Sequence, residues 1–194
     1  MKNLMLWIGA MTGLASTGQG WAASTPNLVL QVPQTFYDHP VRLLQPVIGY
    51  WHNRGNAAAE VGLNAFQSQH FNATSCQADA SGQALVVIEP KIFYNGKMGI
   101  YYSEITARVF TKPDAQGALG DPMLTIKGQG QAIGNITHNV ELFTHRAYQQ
   151  AFEQVISQLT QDAAFNQLAG QAPTQSFQSL CTSINKLTQT NMFF

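Results

Sequence analysis

The sequence predicts an α+β fold: an antiparallel β-meander packed on a long helix, with element order β-α-β-β-β-α-α. Three observations predict it. Leu85 to Ala132 reads as three strands in succession, rich in β-branched and aromatic residues and divided by turn signals. From about Asn139 to Leu168, apolar residues recur at helical spacing. The chain has 194 residues, 45% of them hydrophobic, which supports one domain with a proper core and does not require a second.

The N-terminus reads as an export signal over residues 1–23. Lys2 gives a short positive start, Leu4 to Ala15 is apolar, and Gly20-Trp21-Ala22 or the Ala22-Ala23 edge supplies the small residues of a cleavage site. The apolar run is short for a membrane span, and no other segment approaches that length. The expectation is a mature domain over residues 24–194, periplasmic or secreted. Charged residues make up only 10% of the chain, against a usual share of about 25%, and the formal net charge is zero. With no basic patch to release counterions from a phosphate backbone, nucleic acid is excluded as a partner.

Export decides how cysteine is read. Cys76 and Cys181 both lie in the mature part. In an oxidising compartment two distant cysteines are expected to form one structural disulfide. Closing a loop of about 100 residues stabilises by roughly 4–5 kcal/mol in the chain-entropy account.

In chain order, Asn27 to Val32 is apolar and β-branched and is closed by Pro33, which predicts a strand. Pro33, Pro40 and Pro46 then punctuate a connection that reads as irregular and carries Phe36, Tyr37, Tyr50 and Trp51. These aromatics suit either a ligand-facing flap or a cover for one end of the core. Asn56 is placed to cap a helix running to about His70, with Ala58, Val61, Ala65 and Phe66 on one side. Asn72 to Gly82 reads as a polar loop holding Cys76.

Asn95-Gly96 is the best short hairpin signal in the chain. With it at the tip, Phe93 faces Met98, Ile88 faces Ser103, Val86 faces Ile105 and Ala84 faces Ala107. One face of the hairpin is then a core face that includes Tyr101. The other carries Leu85, Val87, Phe93, Met98, Ile100 and Tyr102 between Glu89, Lys91, Glu104 and Thr106. That is too apolar for a plain solvent face, so Val87, Phe93, Met98, Ile100 and Tyr102 form a candidate interaction face, to be covered either by this chain or by a partner. Pro90 has no N–H and requires an edge or a bulge.

In the third strand, Pro122 to Ala132, the residues Leu124, Ile126, Gly128, Gly130 and Ala132 share a face. Its two glycines would let a helix approach the sheet closely. Thr137 or Asn139 caps the long helix, whose stripe runs through Val140, Phe143, Ala147, Ala151, Val155 and Leu159 until Gly170 to Pro173 ends it. Phe177, Leu180, Cys181, Ile184 and Leu187 predict a short terminal helix.

No motif assigns a reaction. His138, Glu141 and His145 share a helix face and are the first candidates for metal ligands, although a solvated first turn explains Glu141 equally well. Asp38-His39, His52 and His70 lack the elbow of a nucleophilic hydrolase. Glu89 and Glu104 fall on one sheet face in solvent, and Gly128-x-Gly130 lies inside a strand rather than at a strand-to-helix turn. The reading assigns no catalytic residue, no metal and no cofactor.

The runs Leu85-Val86-Val87-Ile88 through Arg108-Val109-Phe110, Leu124 to Gly134 and Tyr148 to Asp162 give the chain a pattern that resembles the YajG-type family of bacterial envelope proteins. The likeness spans about residues 27–168 and is one of element order. It implies a non-enzymatic protein and brings no catalytic residues. The chain departs from the family in lacking a lipid-anchor cysteine and in carrying two internal cysteines, which disfavours an anchored form. The expected function is that of a non-enzymatic periplasmic cell-envelope accessory or binding protein, acting through contacts with an envelope protein or a second copy of itself. The alternatives are a small-ligand or lipid-binding protein and a metal-dependent hydrolase.

Overall fold

The computed structural model describes residues 25–45, 48–77, 79–111, 120–171 and 174–187, so the expected signal segment lies outside the described residues. The α+β architecture is as the sequence predicts. Its frame is a five-stranded sheet in the order β4-β1-β6-β7-β8. These strands are β1 (Asn27–Gln31), β4 (Asn72–Ser75), β6 (Ala84–Asn95), β7 (Ile100–Phe110) and β8 (Leu124–Ile133). β6, β7 and β8 form the antiparallel meander, while β1 runs parallel to both β4 and β6.

The start of the predicted polar loop, Asn72–Ser75, is in fact strand β4. Only Thr74 in Asn-Ala-Thr-Ser favours a strand intrinsically; the pairing with β1 makes it one, with Ala73 the one buried residue. The connection read as irregular holds a one-turn helix, α1 (Thr35–Asp38), and a hairpin of β2 (Val41–Gln45) and β3 (Ile48–His52). A two-stranded ribbon lacks a long hydrophobic alternation, so the prolines hid it. β5 (Ser81–Gly82) pairs with β9 (Gln175–Ser176).

The meander hairpin closes differently from expectation. Asn95 does not sit at the tip. Its side chain accepts from the backbone N–H groups of Lys97 and Met98, at 3.1 and 3.2 Å, and Gly99 takes the positive φ of +65°. The loop is therefore 96–99, Asn95 pairs with Ile100, and Ile88 faces Ala107 rather than Ser103. Each predicted partner is displaced by four positions. Four is even, so every side chain keeps its predicted face despite the wrong register. Pro90 lies beyond Val87, where β1 stops pairing with β6, on an edge segment that needs no N–H.

One sheet face carries α2 (Arg54–Ser68) and α3 (Val140–Gln161). The α2 cap is Asn53 rather than Asn56: its side chain accepts from the Asn56 N–H at 3.0 Å. Asn139 caps α3 by accepting from Leu142 N–H. The long helix ends earlier than predicted, because Asp162 leaves helical geometry and caps a separate α4 (Ala163–Gln171) by accepting from Phe165 N–H at 2.8 Å. Tyr101, Tyr148, Phe152 and Phe66 fill the core between sheet and helices.

The glycines of β8 set how near α3 lies. A Cβ on Gly128 or Gly130 would stand 2.0 Å from the carbonyl oxygen of Ala151 or Ala147. Close approach also brings glutamines of α3 to the outer edge of β8. Gln154 accepts from Gln129 N–H (3.0 Å), Gln150 accepts from Gln131 N–H (3.1 Å), and Gln158 donates to Lys127 C=O (2.9 Å). The side chains thereby occupy edge groups that could otherwise recruit a further strand.

The opposite sheet face is covered over half its length by α5 (Gln178–Leu187). Phe177, Leu180, Cys181 and Ile184 pack on Val29, Leu85, Val87 and Phe110. The expected Cys76–Cys181 disulfide ties this layer down, closing a separation of 105 residues.

Candidate functional site

α5 covers Val87 and stops short of the hairpin end, leaving the rest of that face open. Register places Phe93, Tyr102 and Gln131 in one row across three strands, and Asn95, Ile100 and Ile133 in the next. The Phe93 and Tyr102 rings stack with centroids 5.8 Å apart, and the Tyr102 hydroxyl donates to Met98 Sδ at 4.0 Å. Phe93 is 57% exposed, Met98 59% and Ile133 79%, far above what a core assigns to such residues. The result is a contiguous apolar patch at one end of the sheet.

Of the five residues predicted for an interaction face, the structure brings Phe93, Met98, Ile100 and Tyr102 together here. Val87 is not among them: it is buried beneath α5, in the second core. Ile133 belongs to the patch and was missed. Its signal was legible, since it continues the alternate face of Thr125, Lys127, Gln129 and Gln131, but only pairing with β7 brings that face beside Tyr102.

Beside the patch lies an open groove of about 540 Å³, lined by Arg54, Lys91, Ile92, Phe93, Tyr102 and Glu104 among others. Lys91 and Glu104 oppose one another in register and form an ion pair at 3.0 Å, which holds the Glu104 carboxyl below its usual range. Glu89 pairs with Arg108. The two carboxylates that share this sheet face are therefore each committed to a separate cation. Arg54 reaches the groove from the first turn of α2, its guanidinium 4.8 Å from the centre of the Phe36 ring. Burial lowers its pKa, and no carboxylate stands within ion-pair distance among the described residues.

The histidine set does not converge. His138 precedes α3 and its Nδ1 lies 2.8 Å from Thr137 Oγ1, Glu141 is exposed in the first turn, and His145 is half-buried. No group of three metal-ligating side chains occurs among the described residues. His52 is buried against Tyr148, with ring centroids 6.2 Å apart. Burial, and then the nearby His145, lower its pKa to about 4, so the ring is neutral at pH 7. Burial likewise raises the Tyr148 hydroxyl far above its ordinary value. Both are buried near the core to which α1 contributes Phe36 and the β2–β3 hairpin contributes Leu43. Trp51 instead points out, 64% exposed, with Arg42 over its ring at 6.0 Å.

Comparison with known proteins adds no assignment to this geometry: no family model matches the chain, and no curated protein matches it either.

Proposed function

We propose that this chain is a non-enzymatic accessory or binding protein of the bacterial cell envelope, related to the YajG-type proteins, and that it acts by docking a protein partner on the exposed sheet face. The observation that carries this reading is the apolar patch of Phe93, Met98, Tyr102 and Ile133, left open beside a layer that the same chain covers elsewhere with α5. A face half covered by its own chain and half uncovered has a defined docking area with an intramolecular border. The disulfide supports an oxidising, non-cytoplasmic location. Among the described residues no helix is long and apolar enough to cross a membrane.

The experiment is a paired substitution. Phe93→Ser with Ile133→Ser removes the two flanks of the patch from solvent-exposed positions, so the thermal unfolding midpoint stays within a few degrees of wild type. Native co-purification from envelope fractions, together with sedimentation of the pure protein, then shows a stoichiometric partner or a dimer with the wild-type chain and its loss in the variant. Equal recovery with both chains refutes the reading.

A further inference from the structure

We infer that the groove beside the patch binds an amphipathic anion, with its carboxylate or phosphate on Arg54 and its apolar body over the Phe93–Tyr102 pair. The inference needs no protein partner, so it stands independently of the docking reading.

Lys91 and Glu104 cancel each other across the groove floor, which leaves Arg54 as its net charge. Arg54 is half-buried, its Nε is buried without a hydrogen-bond partner, and no described carboxylate neutralises it. A half-buried guanidinium without a counter-charge is costly. Its position adds to the cost: Arg54 opens a 15-residue helix whose first turn contains no acidic residue, where the helix dipole disfavours a cation. The guanidinium itself lies over the Phe36 ring, which fixes the plane of the fork for a bidentate acceptor. The remaining lining is mixed, with Ser103, Gln129 and Gly130 beside Val41, Ile92 and the stacked Phe93 and Tyr102 rings, and those rings form its apolar part. A neutral apolar ligand would leave Arg54 uncompensated, and a free inorganic anion would leave the aromatic wall in water. A ligand with both parts satisfies both.

The intact, disulfide-bonded chain is titrated with four twelve-carbon probes below their micelle concentrations: dodecanoate, dodecyl phosphate, neutral dodecyl maltoside and cationic dodecyltrimethylammonium. Amide chemical shifts locate the binding. The expected result is that at least one anionic probe binds, moving the signals of Arg54, Ile92, Phe93 and Tyr102, and that its affinity exceeds the neutral and cationic probes by ~10-fold or more. The preference between dodecanoate and dodecyl phosphate identifies the head group. Arg54→Gln weakens the anionic probe by ~10-fold or more and leaves the neutral probe unchanged. If Arg54→Gln fails to fold, Arg54→Lys is read instead: it keeps the charge, loses the fork and weakens binding by a smaller factor. Phe93→Ser, at an exposed site, weakens every probe that binds. The inference is overturned by equal binding of all head groups, by wild-type affinity in the Arg54 variant that folds, by shifts confined to the Leu44–Trp51 hairpin, or by no anionic binding at millimolar concentration.

Discussion

Two glycines and one histidine show how far single residues reach. Gly128 and Gly130 look like weak points in a strand, yet each marks a site where a helix carbonyl stands too close for any side chain. Gly130→Ala is expected to destabilise by about 3 kcal/mol, since backbone rather than a flexible side chain must yield. Urea unfolding measures it, and a loss below about 0.5 kcal/mol would contradict the close-packing account. His52 makes the protein acid-sensitive. Its ring titrates at about 4 in the folded chain, against 6.5 when unfolded. Between those values the unfolded chain holds a proton that the folded chain lacks, so acid favours unfolding. This contribution is complete above about pH 6.5 and is lost as pH falls toward 4, by up to about 3 kcal/mol. His52→Phe should flatten the pH dependence of the unfolding free energy across that window, and an unchanged slope would refute the assignment.

Elements differ in how much of them the sequence shows. The meander and the long helix were legible because hydrophobic alternation and helical spacing run for many residues. The two faces of the hairpin were legible even though its register was not. Asn95 served as a side-chain acceptor before the loop instead of a turn position, a choice that depends on Gly99. β4 and the β2–β3 hairpin were illegible because tertiary pairing, not propensity, makes them strands. The helix break at Asp162 was overlooked because apolar spacing continues past it to Phe165 and Leu168, both buried. The glutamines of α3 were unremarkable in sequence and acquire a role only from position. Replacing Gln150, Gln154 and Gln158 with Ala is expected to speed hydrogen exchange at the Gln129 and Gln131 amides and to raise the tendency of β8 edges to associate. Each lost hydrogen bond costs about 0.5–1 kcal/mol or less at such exposed sites. Unchanged exchange at both amides would show that water serves the edge equally well.

The whole molecule is a sheet with two unequal coats. α2 and α3, with Leu43 of β2 and Phe165 and Leu168 of α4, cover one face, while α5 covers the part of the other that contains Leu85 and Val87. The sequence exposed the problem, an outer face too apolar for solvent, but not its solution, because the boundary depends on where α5 is tied. That tie is the Cys76–Cys181 bond. Its removal in a Cys76→Ser, Cys181→Ser chain is expected to lower stability by roughly 4–5 kcal/mol and to increase binding of a hydrophobic dye as the second core loosens. Retained stability with no added dye binding would show that packing alone holds α5. The uncovered half remains the functional claim. Its most direct test places a photo-crosslinking amino acid at Phe93 or Ile133 in the native cell, with the exposed Glu60 of α2 as the control position. A docked partner gives a discrete adduct, of partner mass or of twice the chain, from both patch positions and none from Glu60; adducts absent from the patch, or equal from all three positions, would contradict docking there.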